Sequence, residues 1–149
     1  NLSSKTDGIG KSTPNSASAG AMRRVSKNFL AGGESNILVN GKMEKLAGYF
    51  DGDNYLQHNP QIGDGLSGLG KALGELSKAG ISLKYDRIHK VLGEGNLVLV
   101  VSEGHFGANH SSFYDLFRVQ NGKIAEHWDT IETIPPRAEW KNNNGKFGF

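Results

Sequence analysis

Asp115-Leu116-Phe117-Arg118-Val119-Gln120-Asn121-Gly122-Lys123-Ile124-Ala125-Glu126-His127-Trp128-Asp129 reads as two strands joined by a tight turn at Asn121-Gly122. Side chains two apart on a strand share a face, so His127 and Asp129 lie together and Trp128 points away. Whether Asp115 joins them depends on the turn. A two-residue Asn-Gly loop pairs Val119 with Ile124 and sets Asp115 opposite Trp128, on the wrong face. A three-residue loop, Gln120-Asn121-Gly122, with Gly122 left-handed as a bulge, pairs Val119 with Lys123 and brings Asp115 opposite His127. The second register is expected, because it gathers Phe113, Asp115, Phe117, Ala125, His127, Asp129 and Ile131 into one apolar face with three polar groups near one end. Tyr114, Leu116, Arg118, Glu126 and Trp128 then take the other face, with Arg118 and Glu126 as diagonal neighbours of opposite charge.

The chain has 149 residues, enough for one domain with a sizeable core. Seventeen basic and 15 acidic residues give a net charge of +2. With no clustered basic stripe, that balance offers no electrostatic reason to expect nucleic acid. The absence of cysteine excludes disulfides, zinc-thiolate sites and thiol nucleophiles, but not a compartment. The longest aliphatic run, Leu97 to Val101, is far below the roughly 20 residues of a membrane span, so a soluble protein is expected. The first residue is Asn1, which leaves cytoplasm and export with a removed signal equally open.

Residues 1–21 hold little that is apolar and read as a flexible arm or linker ahead of a domain at 22–149. Within the arm, Gly8-Ile9-Gly10-Lys11-Ser12-Thr13 lacks both the earlier glycine and the preceding strand that a phosphate-binding loop needs. Helical periodicity predicts helices over about Ser26 to Ile37, Lys42 to Phe50 and Leu66 to Ala79, the last displaying Leu66, Leu69, Leu73 and Leu76. Tyr55 to Pro60 reads as extended, since the residue before proline avoids the helical region. Strand signals follow at Ser82 to Leu92, a Gly93-Glu94-Gly95-Asn96 turn, Leu97 to Phe106, a Gly/Asn/Ser-rich loop, and then the hairpin. Three helices before about four longer strands indicate an α+β domain, with helices packed against one curved, mostly antiparallel sheet that encloses a pocket.

Tyr55-Leu56-Gln57-His58-Asn59-Pro60, Asp64-Gly65, the Asp115 to Asp129 hairpin, Ile134-Pro135 and Asn144-Gly145-Lys146-Phe147 together resemble SnoaL-like proteins of the nuclear transport factor 2-like superfamily, over about residues 26–149. The resemblance implies a cone-shaped α+β barrel with a ligand cavity, dimeric through the outer face of the sheet. It also implies intramolecular aldol closure without metal or organic cofactor, as in the polyketide cyclases that gave the family its name. There an aspartate at the position of Asp129 is the general acid/base, and a histidine assists from the position of Asp115. The carboxylate at Asp115 departs from that pattern, so the cyclase mechanism does not transfer whole.

Asp129 is the first candidate base, because an apolar pocket disfavours a carboxylate's charged form. Asp115 can share a proton with it, or His127 can hold both carboxylates ionised. His127 either orients them or takes the proton itself. His58 lies in an extended loop segment, where polar side chains often serve function. His105 shares parity with Leu97, Leu99 and Val101 and, with Phe113, Phe117 and Tyr55, is a candidate for the substrate-binding wall. His110 is expected in an exposed loop, and Trp128 and Tyr114 in packing or a dimer interface. No histidine pair has the spacing of a metal motif, and no serine sits in a nucleophile elbow. An epoxide hydrolase would need an Asp-Arg-Asp arrangement inside the cone, whereas Arg118 is expected to face outward. The reading that results is proton transfer beside a carbonyl, in aldol cyclisation or isomerisation of a small hydrophobic molecule. The alternative is a non-catalytic binding or protein-interaction module of the same shape.

Overall fold

A computed structural model describes Gly20 and residues 47–149. Apart from Gly20, the expected arm, the glycine-lysine stretch at 8–13 and the first predicted helix lie outside the described residues. Strands β1 (Leu56–Gln57), β2 (Leu83–Glu94), β3 (Leu97–Phe106), β4 (Asn109–Gln120) and β5 (Lys123–Thr133) form one open sheet in the order β1-β5-β4-β3-β2. Helix α1 (Gly65–Lys78) precedes the long strands. Only β1 runs parallel to its neighbour, pairing Leu56 with Glu126 and Gln57 with His127.

Alternation sorts the sheet into two faces. On one, Val98, Val100, Phe113, Phe117 and Tyr85 form a core with Phe50, Tyr55 and Leu69, against which Leu66 and Leu73 of α1 pack. Register shifts in β2, between Tyr85 and Arg87 and again between Ile88 and Lys90, bend that edge of the sheet. The other face carries charged and aromatic side chains, crossed by the C-terminal segment: Phe147 stacks on His89 at 4.0 Å between ring centroids.

Four local expectations need correction. The second predicted helix, Lys42 to Phe50, is not helical at its described end: Ala47 to Tyr49 form a turn and Phe50 makes a parallel bridge to Ile124. The backbone there bonds the sheet edge instead, with Ile124 N donating to Tyr49 O at 2.7 Å and Asp51 N to Ile124 O at 3.0 Å. The Gly/Asn/Ser-rich loop is a two-residue turn at Gly107-Ala108 followed by strand, because Ser111 and Ser112 are buried with ladder partners on both sides. The turn after β2 shortens to Gly95-Asn96, with Glu94 paired to Leu97.

The hairpin register is the fourth. The loop has two residues, not three: Asn121 (φ 51°) and Gly122 (φ 75°) are both left-handed, and Val119 pairs with Ile124. Such a turn matches the right-handed twist of the strands. The bulge lies farther along, where Ala125 is the extra residue between the pairs Val119–Ile124 and Arg118–Glu126. That bulge flips the parity back. Phe117 then pairs with His127 and Asp115 with Asp129, while Arg118 and Glu126 are direct partners rather than diagonal neighbours.

Candidate active site

A cavity of about 320 Å³ opens between α1 and the core face of the sheet. Its walls are Ile62, Leu69, Leu73, Leu76, Leu83, Phe106 and Ile131, and its polar end is Tyr55, Gln57, Asn59, Tyr85, Asp115, His127 and Asp129. Among the described residues, no arginine or lysine lines it. Glu75 of α1 and Gln61 complete its polar lining.

The polar end is a connected network. Asp115 is 2% exposed, and both of its oxygens are engaged. His127 Nε2 lies 2.9 Å from Oδ1, and the Tyr85 hydroxyl donates to Oδ2 at 3.4 Å. On the other side of the imidazole, Gln57 Nε2 lies 3.2 Å from His127 Nδ1 and donates to the Tyr55 hydroxyl at 2.8 Å. Asn59 N donates to Gln57 Oε1 at 3.0 Å, and Asn59 Nδ2 to Asp129 Oδ2 at 3.1 Å. Phe117 stacks on the His127 ring at 4.7 Å. Burial, with Asp115 and Asp129 nearby, pushes both the Tyr55 and Tyr85 phenols well up, so both keep their protons across the working range.

Two backbone contacts hold β1 in place beneath this network. Gln57 N donates to Asp64 Oδ1 at 2.8 Å and Gly65 N to Tyr55 O at 2.8 Å. Asp64 and Gly65 therefore anchor the segment that carries Tyr55, Gln57 and Asn59 to the start of α1.

Asp129, Asp115 and His127 are thus brought together, as expected, and Tyr55 lines the cavity beside them. Phe113 and Phe117 are buried in the layer behind it, Phe113 against Tyr85 at 4.6 Å, and do not line its wall. His58 is a correction: its ring stacks on Trp128 at 4.2 Å and its Nε2 sits 3.2 Å from Glu126 Oε2, on the outer side of the sheet. Being next to Gln57 in an extended segment, it points the opposite way. His105 is a second correction. Its parity with Leu97, Leu99 and Val101 is real, but that parity belongs to the outer face, where His105 Nδ1 meets Asp86 Oδ2 at 2.8 Å. His110 stands opposite it on strand β4 rather than in a loop. Arg118 faces outward as expected, bonded to Glu126 through Nε at 2.8 Å. That hydrogen bond holds the Glu126 carboxyl below its ordinary value.

Sequence alone does not single out Gln57, Asn59 and Tyr85. The signal for the first two is parity: Tyr55, Gln57 and Asn59 alternate with the outward Leu56 and His58. Tyr85 shares its face with Leu83, another residue of the cavity wall. Among the described residues no group of three His, Asp or Glu side chains is placed to hold a metal ion, and no helix is long and apolar enough to cross a membrane.

No family model matches the sequence, and no curated protein does. Solved structures do match its fold. A SnoaL-like polyketide cyclase from Agrobacterium tumefaciens C58 superposes with a TM-score of 0.52 at 14% identity, over 65% of this chain and 84% of that one. An LEH-like epoxide hydrolase from M. tuberculosis gives 0.52 at 21% identity, over 76% and 84%. An NTF2-like protein of unknown function from Burkholderia xenovorans LB400 gives 0.58 at 16% identity, over 84% and 96%. The sheet, the helix across one of its faces and the cavity between them make up a fold that this chain shares with these solved structures, the Burkholderia NTF2-like protein among them.

Proposed function

We propose that the cavity catalyses proton transfer beside the carbonyl of a small apolar molecule, as in aldol ring closure or isomerisation, with Asp129 as the base. The observation that carries this reading is the unequal engagement of the two carboxylates. Asp115 accepts a hydrogen bond at each oxygen and is committed to the protein. Asp129, which lines the cavity, accepts one, at Oδ2 from Asn59, and so keeps an oxygen for a substrate proton.

The Tyr55 hydroxyl accepts from Gln57 and has no acceptor for its own proton among the described residues. It is the donor suited to a carbonyl oxygen that gains negative charge as Asp129 removes the α proton. Asn59 orients the base, and apolar walls exclude water and take up the body of the ligand. Support for the reaction class comes from the cavity and its donors. The similarity to a polyketide cyclase structure supports the architecture in which such chemistry is built.

The test needs no identified substrate. Wild-type protein incubated in D₂O with a panel of small cyclic ketones is expected to accelerate exchange of the α hydrogens, read by mass spectrometry or NMR. Asp129→Asn should abolish the acceleration while leaving the circular dichroism spectrum unchanged. Tyr55→Phe should slow it about 100-fold, as for loss of one oxyanion donor. Exchange at the wild-type rate in Asp129→Asn rejects Asp129 as the base, and no acceleration by the wild type rejects proton transfer and leaves the same cavity as a binding module.

A further inference from the structure

We infer that Gln57 is a positioning residue that locks His127 as a neutral imidazole protonated on Nε2, and so commits that histidine to Asp115 rather than to the ligand. The inference deepens the reading of this cavity as a proton-handling site.

The backbone N–H of Asn59 can only donate, and it lies 3.0 Å from the side-chain oxygen of Gln57. That fixes the amide: its oxygen faces Asn59 and its nitrogen faces the cavity. The amide nitrogen, in turn, can only donate. One of its hydrogens goes to the Tyr55 hydroxyl at 2.8 Å, and the other is directed at His127 Nδ1, 3.2 Å away. Nδ1 must therefore accept and carries no proton. The ring proton is on Nε2, aimed at Asp115 Oδ1 2.9 Å away.

Three consequences follow for the site. His127 has both nitrogens engaged and its face against Phe117, so it has no proton to present to a ligand and no lone pair with which to take one. Adding a second proton to the ring would set Nδ1–H against the Gln57 N–H, and turning the amide to relieve that contact would break its bond to Asn59 N. The side chain of the same Asn59 holds Asp129, so the tautomer of His127 and the orientation of the base are linked through one residue. The ionisable groups facing this ring and amide are Asp115, Asp129, Tyr55 and Tyr85. Both phenols stay protonated, which leaves the carboxylates as the acceptors of the network.

The tautomer is read directly by long-range ¹H–¹⁵N correlation spectra of the ¹⁵N-labelled chain without ligand, with the His127 signals identified by their loss in His127→Asn. At neutral pH the wild type is expected to show a protonated Nε2 and an unprotonated Nδ1. In Gln57→Glu, where an acceptor replaces the donor at nearly the same shape, the unprotonated Nδ1 signal should disappear and both nitrogens should carry protons. Gln57→Leu, which removes the donor without supplying an acceptor, should give a mixture of tautomers. Should the leucine variant fail to fold, the glutamate variant still decides the question. A wild-type His127 protonated on Nδ1, or a Gln57→Glu spectrum identical to wild type, overturns the inference. No ligand enters these spectra, so the outcome is separate from ketone exchange. The expected tautomer with no exchange leaves the lock standing and rejects proton transfer, and exchange with a doubly protonated His127 does the reverse.

Discussion

A buried hydroxyl without a partner is the sharpest anomaly at the scale of single residues. Ser102 on β3 is fully buried, and its Oγ finds no hydrogen bond among the described residues. Leaving a buried polar group unsatisfied costs about 1–3 kcal/mol. Ser102→Ala keeps the backbone, removes the orphan and opens almost no void, so it is expected to stabilise the fold by about 1 kcal/mol. A urea unfolding midpoint that falls in this variant would show that the hydroxyl has a partner after all. The same scale explains which site residues could be read from sequence. Asp129, His127 and Asp115 announced themselves because ionisable side chains at even spacing on a hairpin have few structural uses. Gln57 and Asn59 did not, because neutral amides in an extended segment are ordinary, and their value arises only when β1 lies parallel to β5 and opposite His127. His58 and His105 were over-read for the complementary reason: parity tells which residues share a face, and not which face is concave.

At the scale of elements, the bulge at Ala125 gives the hairpin the expected faces by a route other than the expected three-residue loop. Asn121-Gly122 specified its turn by local chemistry, since both positions take positive φ. The bulge at Ala125 has no comparable local signature, and the requirement that Asp115 share a face with Asp129 was met by moving the irregularity from the loop into the strand. Two glycines on this sheet separate conformational cost from steric cost. A Cβ on Gly122 meets nothing within 4 Å, so Gly122→Ala should lose only the left-handed preference, about 1–2 kcal/mol. A Cβ on Gly104 would lie 1.9 Å from the Lys84 carbonyl oxygen, where the β2 backbone passes close beside the bulge. Gly104→Ala must displace that strand and is expected to cost more than about 3 kcal/mol, beyond the usual range of single substitutions. Chemical denaturation of both variants checks the order. Equal losses would mean that β2 yields easily at its bulge.

Across the whole molecule, the outer face of the sheet is held by ion pairs that the cavity does not use. Glu103 on β3 is bridged by two histidines, His89 Nε2 at 2.7 Å and His110 Nε2 at 2.6 Å. The hydrogen bond from His89 is the largest influence holding the Glu103 carboxyl below its ordinary value of 4.5, with that from His110 adding to it. Asp86 is likewise lowered, first by Lys84 and then by His105. For a carboxylate with a depressed folded-state pKa, the unfolded chain takes up protons first as pH falls. The stabilisation is therefore complete above the ordinary carboxylate value and is lost as pH drops through the lower, folded one. His89 also carries the stacked ring of Phe147, while Lys146 bonds Glu132 and lies over Tyr114. The C-terminal segment thus straps β2, β4 and β5 across the outer face of the sheet. Thermal midpoints of the wild type should fall once pH drops below about 4.5, and Glu103→Gln should show a shallower fall over the same window. Hydrogen exchange of residues 145–149 should rise together with that loss, because protonating Glu103 releases the ring on which Phe147 rests. Identical acid profiles for the variant and the wild type would place the acid-sensitive contacts elsewhere, Asp86 first among them.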